Sequence, residues 1–151
     1  MTDVQRGTLE AAGLRVGVVR SLFNRPVTDG LLAGAMELLD EAGADDVTVF
    51  EVEGAFEIPI VARRLATSGY DAVITVGAVV EGETDHYEHI ATQAATGLMR
   101  TGLDTGVPVS FGVLTVRDPD HAFSRSAPGP GNKGRESAEA AIRTANLLRS
   151  V

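Results

Sequence analysis

The sequence contains no cysteine, which excludes a disulfide framework, a thiolate metal site and a cysteine nucleophile. Positive charge is scarce as well: 13 basic residues stand against 21 acidic ones, for a net charge of -8. That balance argues against nucleic acid or an anionic membrane as a main partner. Only one of the basic residues, Lys133, is a lysine, which makes it a position to explain. There is no N-terminal basic-plus-apolar signal and no apolar run of transmembrane length, so a soluble cytoplasmic protein is expected. What is present suffices for one substantial core: 151 residues, of which 44% are hydrophobic.

Apolar patterning divides the chain into strands and helices in alternation. Met1 to Gly13 lacks periodicity and forms an expected N-terminal arm, leaving residues 14–151 as the folded domain. Strands are expected over Leu14–Val19, Val47–Val52, Ala72–Val80 and Val107–Thr115. Leu31, Leu32, Ala35, Leu38 and Leu39 mark one stripe of a first helix, which stops near Gly43. Pro59 suits the first turn of a second helix that runs to about Ser68 and Gly69. Ile90, Ala94, Gly97 and Leu98 share a face of a third, expected to end near Gly102. A short helix is expected over Pro119–Ser124, and Ala138, Ala141, Ile142, Ala145 and Leu148 form the face of a last one. With no repeat and no domain-splitting linker, the pattern predicts a single three-layer α/β domain. Its four-stranded parallel sheet carries helices on both faces, joined by right-handed crossovers. In such sheets a ligand sits beyond the carboxyl ends of the strands. Here those ends are Phe23-Asn24, Gly54 to Glu57, Val79 to His86, and Thr115 onwards.

The turn Gly82-Glu83-Thr84-Asp85-His86 follows the most apolar strand and opens a helix. Such a turn exposes backbone N–H groups where an anion can sit, and it sets a histidine in the first helical turn. An ordinary βα loop capped by Thr84 or Asp85, with a solvated His86, fits the same residues. As a catalytic group, His86 suits general acid–base work near neutrality. His86 and His89, flanked by Glu83, Asp85 and Glu88, raise a metal, but the three-residue spacing is poor for shared ligation on a helix and none is expected.

Phe23 lies in a polar loop, where it could stack on a planar heterocycle or plug the end of the sheet. Glu57, between Phe56 and Ile58, could accept hydrogen bonds from ligand hydroxyls or simply favour a helix dipole. Arg125 and Lys133 flank a Pro/Gly loop and could meet a phosphate or a polyol, or remain solvated surface charge. Gly129, Gly131 and Gly134 would let that loop approach a ligand or another subunit.

Taken together, these stretches resemble the lumazine synthase family. The matching words are Leu22-Phe23-Asn24, Gly54-Ala55-Phe56-Glu57-Ile58-Pro59, Gly77-Ala78-Val79-Val80, Gly82-Glu83-Thr84-Asp85-His86-Tyr87, Phe111-Gly112-Val113-Leu114-Thr115 and Gly131-Asn132-Lys133-Gly134. Each is weak alone, but their order and spacing over about Leu14 to Leu148 make the set specific. The resemblance implies a flavodoxin-like sheet and a riboflavin-biosynthesis transferase. It would condense 5-amino-6-ribitylaminouracil with 3,4-dihydroxy-2-butanone 4-phosphate to 6,7-dimethyl-8-ribityllumazine, releasing phosphate and water without a cofactor.

Carried over residue by residue, the resemblance assigns Phe23 to stacking on the pyrimidine, with Asn24 beside it. Ala55, Phe56 and Glu57 would hold the ribityl chain and ring edge, and Val79 and Val80 the pyrimidine. Gly82, Glu83, Thr84 and Arg125 would bind the phosphate, His86 would shuttle protons, and Phe111 and Lys133 would come from a neighbouring subunit. A pentamer, or twelve pentamers as a capsid, is implied, with the arm adding a strand to a neighbour's sheet and riboflavin synthase as a further partner. Departures are Glu81, where the family commonly has arginine, Glu88 in place of aspartate, and Ser126-Ala127-Pro128-Gly129-Pro130 in the loop. Two rivals keep the fold without the reaction. One is a module that binds a flavin or lumazine without needing His86, and the other is a shell protein with a decayed site, for which Glu81 is the hint.

Overall fold

A computed structural model describes residues 1–151. The β-branched runs form four parallel strands, β1 (Arg15–Ser21), β2 (Asp46–Val52), β3 (Ala72–Val80) and β4 (Gly112–Val116). They lie in the order β2-β1-β3-β4. Between and after them run α1 (Arg25–Glu41), α2 (Ile58–Ala66), α3 (His86–Thr105), α4 (Pro119–Ser126) and α5 (Lys133–Ser150). This is the expected three-layer, flavodoxin-like arrangement. Strand β3 is buried along its length up to the half-buried Val80, as its unbroken apolar run requires of a strand covered on both faces.

Alternation along the strands divides the core in two. Val16, Val18, Ile74 and Val76 point toward α1, α4 and α5, where they meet Leu31, Leu38, Ala122, Ala138 and Ile142. Val19, Val73 and Val113 point the other way, onto Ile58 and Leu65 of α2 and Leu98 of α3. The chain reverses direction across the sheet between β1 and β3, so the loops after these two strands diverge and leave a crevice.

Helix ends follow their punctuation, with one shift. Gly43, at φ 75, sits just past α1, and Pro59 lies in the first turn of α2. Helix α3 runs through Gly102 and ends at Thr105, because Gly106 takes the left-handed conformation (φ 72) and donates its N–H to the Gly102 carbonyl. Strand β4 is shorter than the expected Val107–Thr115. Val109 makes only an isolated bridge to Val73. The Thr75 side chain then intercepts the ladder, its Oγ1 donating to the Ser110 carbonyl at 2.6 Å and accepting from the Gly112 N–H at 3.4 Å. Regular pairing therefore begins at Gly112.

The first residues are irregular, but from Gly7 the chain lies on α5. Arg143 donates to the Gly7 carbonyl at 3.0 Å, and Asn146 donates to those of Thr8 and Glu10 at 2.9 and 2.8 Å. The Ala11 N–H then donates to the carbonyl of Ala42 at 2.8 Å.

Candidate active site

The loop after β1 is held by Asn24, the one non-glycine residue with positive φ (60°). An asparagine tolerates that conformation better than most side chains. Its Nδ2 donates to the Ala78 carbonyl at 3.1 Å, tying the loop that carries Phe23 to the end of β3. Asn24 is thus engaged with the backbone of the chain and lies outside the cleft lining. Phe23 next to it is 66% exposed, so its ring gains little from the core.

The crevice between these strand ends is a cleft of about 680 Å³. Of the residues singled out by sequence, it brings together Phe23, Ala55, Phe56, Glu57, Val79, Val80, Gly82, Thr84 and His86. Ala55 to Glu57 form one 3-10 turn leading into α2, which presents the exposed Phe56 ring and the Glu57 carboxylate. The floor is the carboxyl end of β3, where Val79 is 7% exposed.

The rim opposite is the start of α3. No group within the chain accepts a hydrogen bond from the backbone N–H groups of Gly82, Glu83, Thr84 or Asp85. The Asp85 side chain does not cap the helix, and Thr84 Oγ1 accepts only a long bond, 3.4 Å, from the His86 N–H. Unpartnered amides at a helix start favour an anion through both hydrogen bonding and the helix dipole. His86 and His89 both line the cleft beside them. No three His, Cys, Asp or Glu side chains converge to hold a metal ion.

Glu81 does not line the cleft. Its N–H donates to the Val116 carbonyl at 2.9 Å, and its carboxylate lies 3.4 Å from Nε of Arg117 at the end of β4. The departure from the family's arginine is thereby directed toward the neighbouring strand end.

Other expected site residues lie apart from the cleft. Glu83 is exposed on the turn without lining it. Arg125 is on α4, its Nη1 donating to the His121 carbonyl at 3.2 Å. Lys133 opens α5 and donates to Glu136 at 2.7 Å. Phe111 borders a second cleft of about 500 Å³, together with Met99, Leu103 and Leu148. One of the glycines expected to let the Pro/Gly loop approach a ligand or another subunit has an internal use. Gly134 packs on α1 of its own chain, where a Cβ would lie 1.9 Å from the Leu31 carbonyl oxygen.

Glu53, Gly54, Ala78, Tyr87, His89 and Ile90 complete the lining and were not singled out as substrate contacts by sequence. Helical spacing carried a signal for two of them, since His89 and Ile90 lie one turn beyond His86. Strand alternation gave none for Glu53.

The sequence matches the 6,7-dimethyl-8-ribityllumazine synthase family over residues 13–149, nearly the whole chain. The chain belongs to this family. Membership in the lumazine synthase family puts it in riboflavin biosynthesis, among transferases. A solved structure, a de novo designed Rossmann fold protein, is similar at TM-score 0.40 and 14% identity, covering 74% of this chain and 92% of its own. At that level of similarity it carries no functional argument. No helix is long and apolar enough to cross a membrane.

Proposed function

We propose that the chain is a lumazine synthase that condenses 5-amino-6-ribitylaminouracil with 3,4-dihydroxy-2-butanone 4-phosphate. The observation that carries this reading is one cleft holding an exposed aromatic, the Glu57 carboxylate, and a histidine beside the unpartnered amides of Gly82 and Thr84. Phe23 stacks on the pyrimidine, the backbone of Ala55 and Phe56 with the Glu57 carboxylate takes the ribityl hydroxyls, and Val79 and Val80 meet the ring edge. Gly82, Glu83 and Thr84 receive the phosphate of the second substrate. An amine attacking a ketone needs orientation and a proton carrier more than a protein nucleophile. His86 moves protons during imine formation and phosphate loss, beside the group that leaves.

Arg125, Phe111 and Lys133 lie outside the cleft of their own chain. In this reading Phe111 and Lys133 act on a neighbour's cleft in a homopentamer, and Arg125 joins the phosphate site at such a junction. The Lys133–Glu136 pair is half-exposed and weak enough to yield to a ligand. The pairing of Glu81 with Arg117, outside the cleft, weighs against a decayed shell protein.

The test mixes purified protein with both substrates and follows lumazine absorbance and fluorescence against the uncatalysed background. Acceleration that falls strongly in His86→Ala supports the reading. A folded, assembled protein that gives no acceleration overturns it.

A further inference from the structure

Glu53 is a charged residue of the cleft lining for which the assigned chemistry has no use. Alternation along β2 would send it after Glu51 toward α1, where Glu51 pairs with Arg20 at 2.9 Å. The strand ends at Val52, however, and the chain bends through Glu53 and Gly54, which turns Glu53 into the lining of the cleft instead. There its carboxylate has no hydrogen bond and no ion pair with any group of the chain. Glu57 lies close by, its Oε1 3.2 Å from where a Cβ on Gly54 would stand. Two carboxylates therefore border this end of the cleft, one on either side of Gly54, and no arginine or lysine lines it anywhere.

The cleft is thus polar in the electrical sense. Its α3 rim offers amide hydrogens to an anion, while its β2 rim offers acceptors to neutral hydroxyls. A carboxylate oxygen accepts from adjacent hydroxyl groups, so a pair of carboxylates can follow a polyol over more of its length than one can. We propose that Glu53 is a second acceptor, beside Glu57, for the polyhydroxylated chain of the substrate. This inference rests on the lumazine synthase reading of the same cleft.

The experiment measures binding of two probes by fluorescence: 6,7-dimethyl-8-ribityllumazine, and 6,7,8-trimethyllumazine, which lacks the polyol. In Glu53→Gln, which keeps the shape and loses the charge, the dissociation constant for the ribityl compound is expected to rise about tenfold, as for loss of a charge-assisted hydrogen bond. That for the trimethyl compound is expected to stay unchanged, as is the inhibition constant for inorganic phosphate. Glu53→Asp should recover part of the loss. Equal effects on both probes, or none, overturn the inference while leaving the enzyme reading intact. Tighter phosphate inhibition in Glu53→Gln would make Glu53 a remote field rather than a contact and also overturn it. If the wild-type protein binds neither probe and makes no product, the enzyme reading falls and this inference falls with it.

Discussion

Near the strand ends of the α1–α4–α5 face, Arg20 and Asn132 are buried and partnered, whereas the groups that line the cleft on the α2–α3 face are largely exposed and free. Arg20, 4% exposed, donates to Glu51 at 2.9 Å, to Asp29 at 2.7 Å and to Thr28 at 3.3 Å. Asn132, 1% exposed, donates to the carbonyls of Gly30, Ser126 and Ala127 and accepts from the Arg135 N–H. Its side chain fills the space that a Cβ on Gly34 would need, 2.1 Å from Oδ1. Across the sheet, Glu53, the Gly82–Asp85 amides and the Phe23 ring have no such partners. One sheet carries a closed face that fixes the strand ends and an open face that uses them. Substitutions should therefore sort cleanly, into stability on the closed face and turnover on the open one.

The largest effect is expected at Gly134. Alanine there would set a Cβ 1.9 Å from the Leu31 carbonyl oxygen, a backbone atom of α1 that cannot move aside alone. Such overpacking costs about 3 kcal/mol or more, lowering the melting temperature by about 6–12 °C in a chain of this size. A thermal melt of Gly134→Ala that overlays the wild type would break the comparison, since the closed face would then be loosely packed. Next in size is His86→Ala, expected to slow turnover about a hundredfold without abolishing it, as the loss of a general acid–base group does. Its melting curve should match the wild type, because the His86 side chain is exposed and the α3 start has no cap to lose. Steady-state rates beside a melt decide it: complete loss of product with the fold intact would mean that His86 does more than carry protons.

Phe23→Ala should act more mildly, raising KM for the pyrimidine substrate about tenfold, the scale of a base stacked on an aromatic ring. Stability should shift by no more than about 0.5 kcal/mol, because the ring is 66% exposed. A loss of stability much above that, with KM unchanged, would return Phe23 to the closed region as a plug. Phe23 also illustrates what the sequence carries. The strands, helices and their order follow from period and punctuation, and so does the convergence of the Phe23, Glu57 and His86 loops, because strand carboxyl ends share one edge. What escapes period is whatever depends on a side chain meeting backbone from elsewhere. Thr75 cuts β4 short through Ser110 and Gly112, a contact that apolar period does not carry, although Pro108, which has no N–H for the ladder, is a signal against a regular strand there. Gly134 needs Leu31, and Asn24 turns from a substrate to Ala78, for the same reason. Glu53 escapes because the bend after Val52 cancels the alternation that would have sent it to the closed face.

The smallest effect tests the boundary between the regions. Glu81 sits where the family commonly has arginine, one residue from the free amides, yet its carboxylate pairs with Arg117 outside the cleft. Arg117 is 86% exposed, so the pair contributes about 0.2–1 kcal/mol at most. Glu81→Arg would exchange that attraction for a weak repulsion and lower the melting temperature by up to about 4 °C. It would also bring a positive charge near the phosphate rim, lowering KM for the butanone phosphate up to about threefold in dilute buffer. At about 1 M salt, where the Debye length shrinks to about 3 Å, that gain should vanish. Adding Arg117→Glu should restore the melting temperature by re-forming the pair with its signs exchanged. Were Glu81→Arg instead to change turnover tenfold or more at any salt, position 81 would belong to the open face, and the division between the two regions would have to be drawn on the far side of β4.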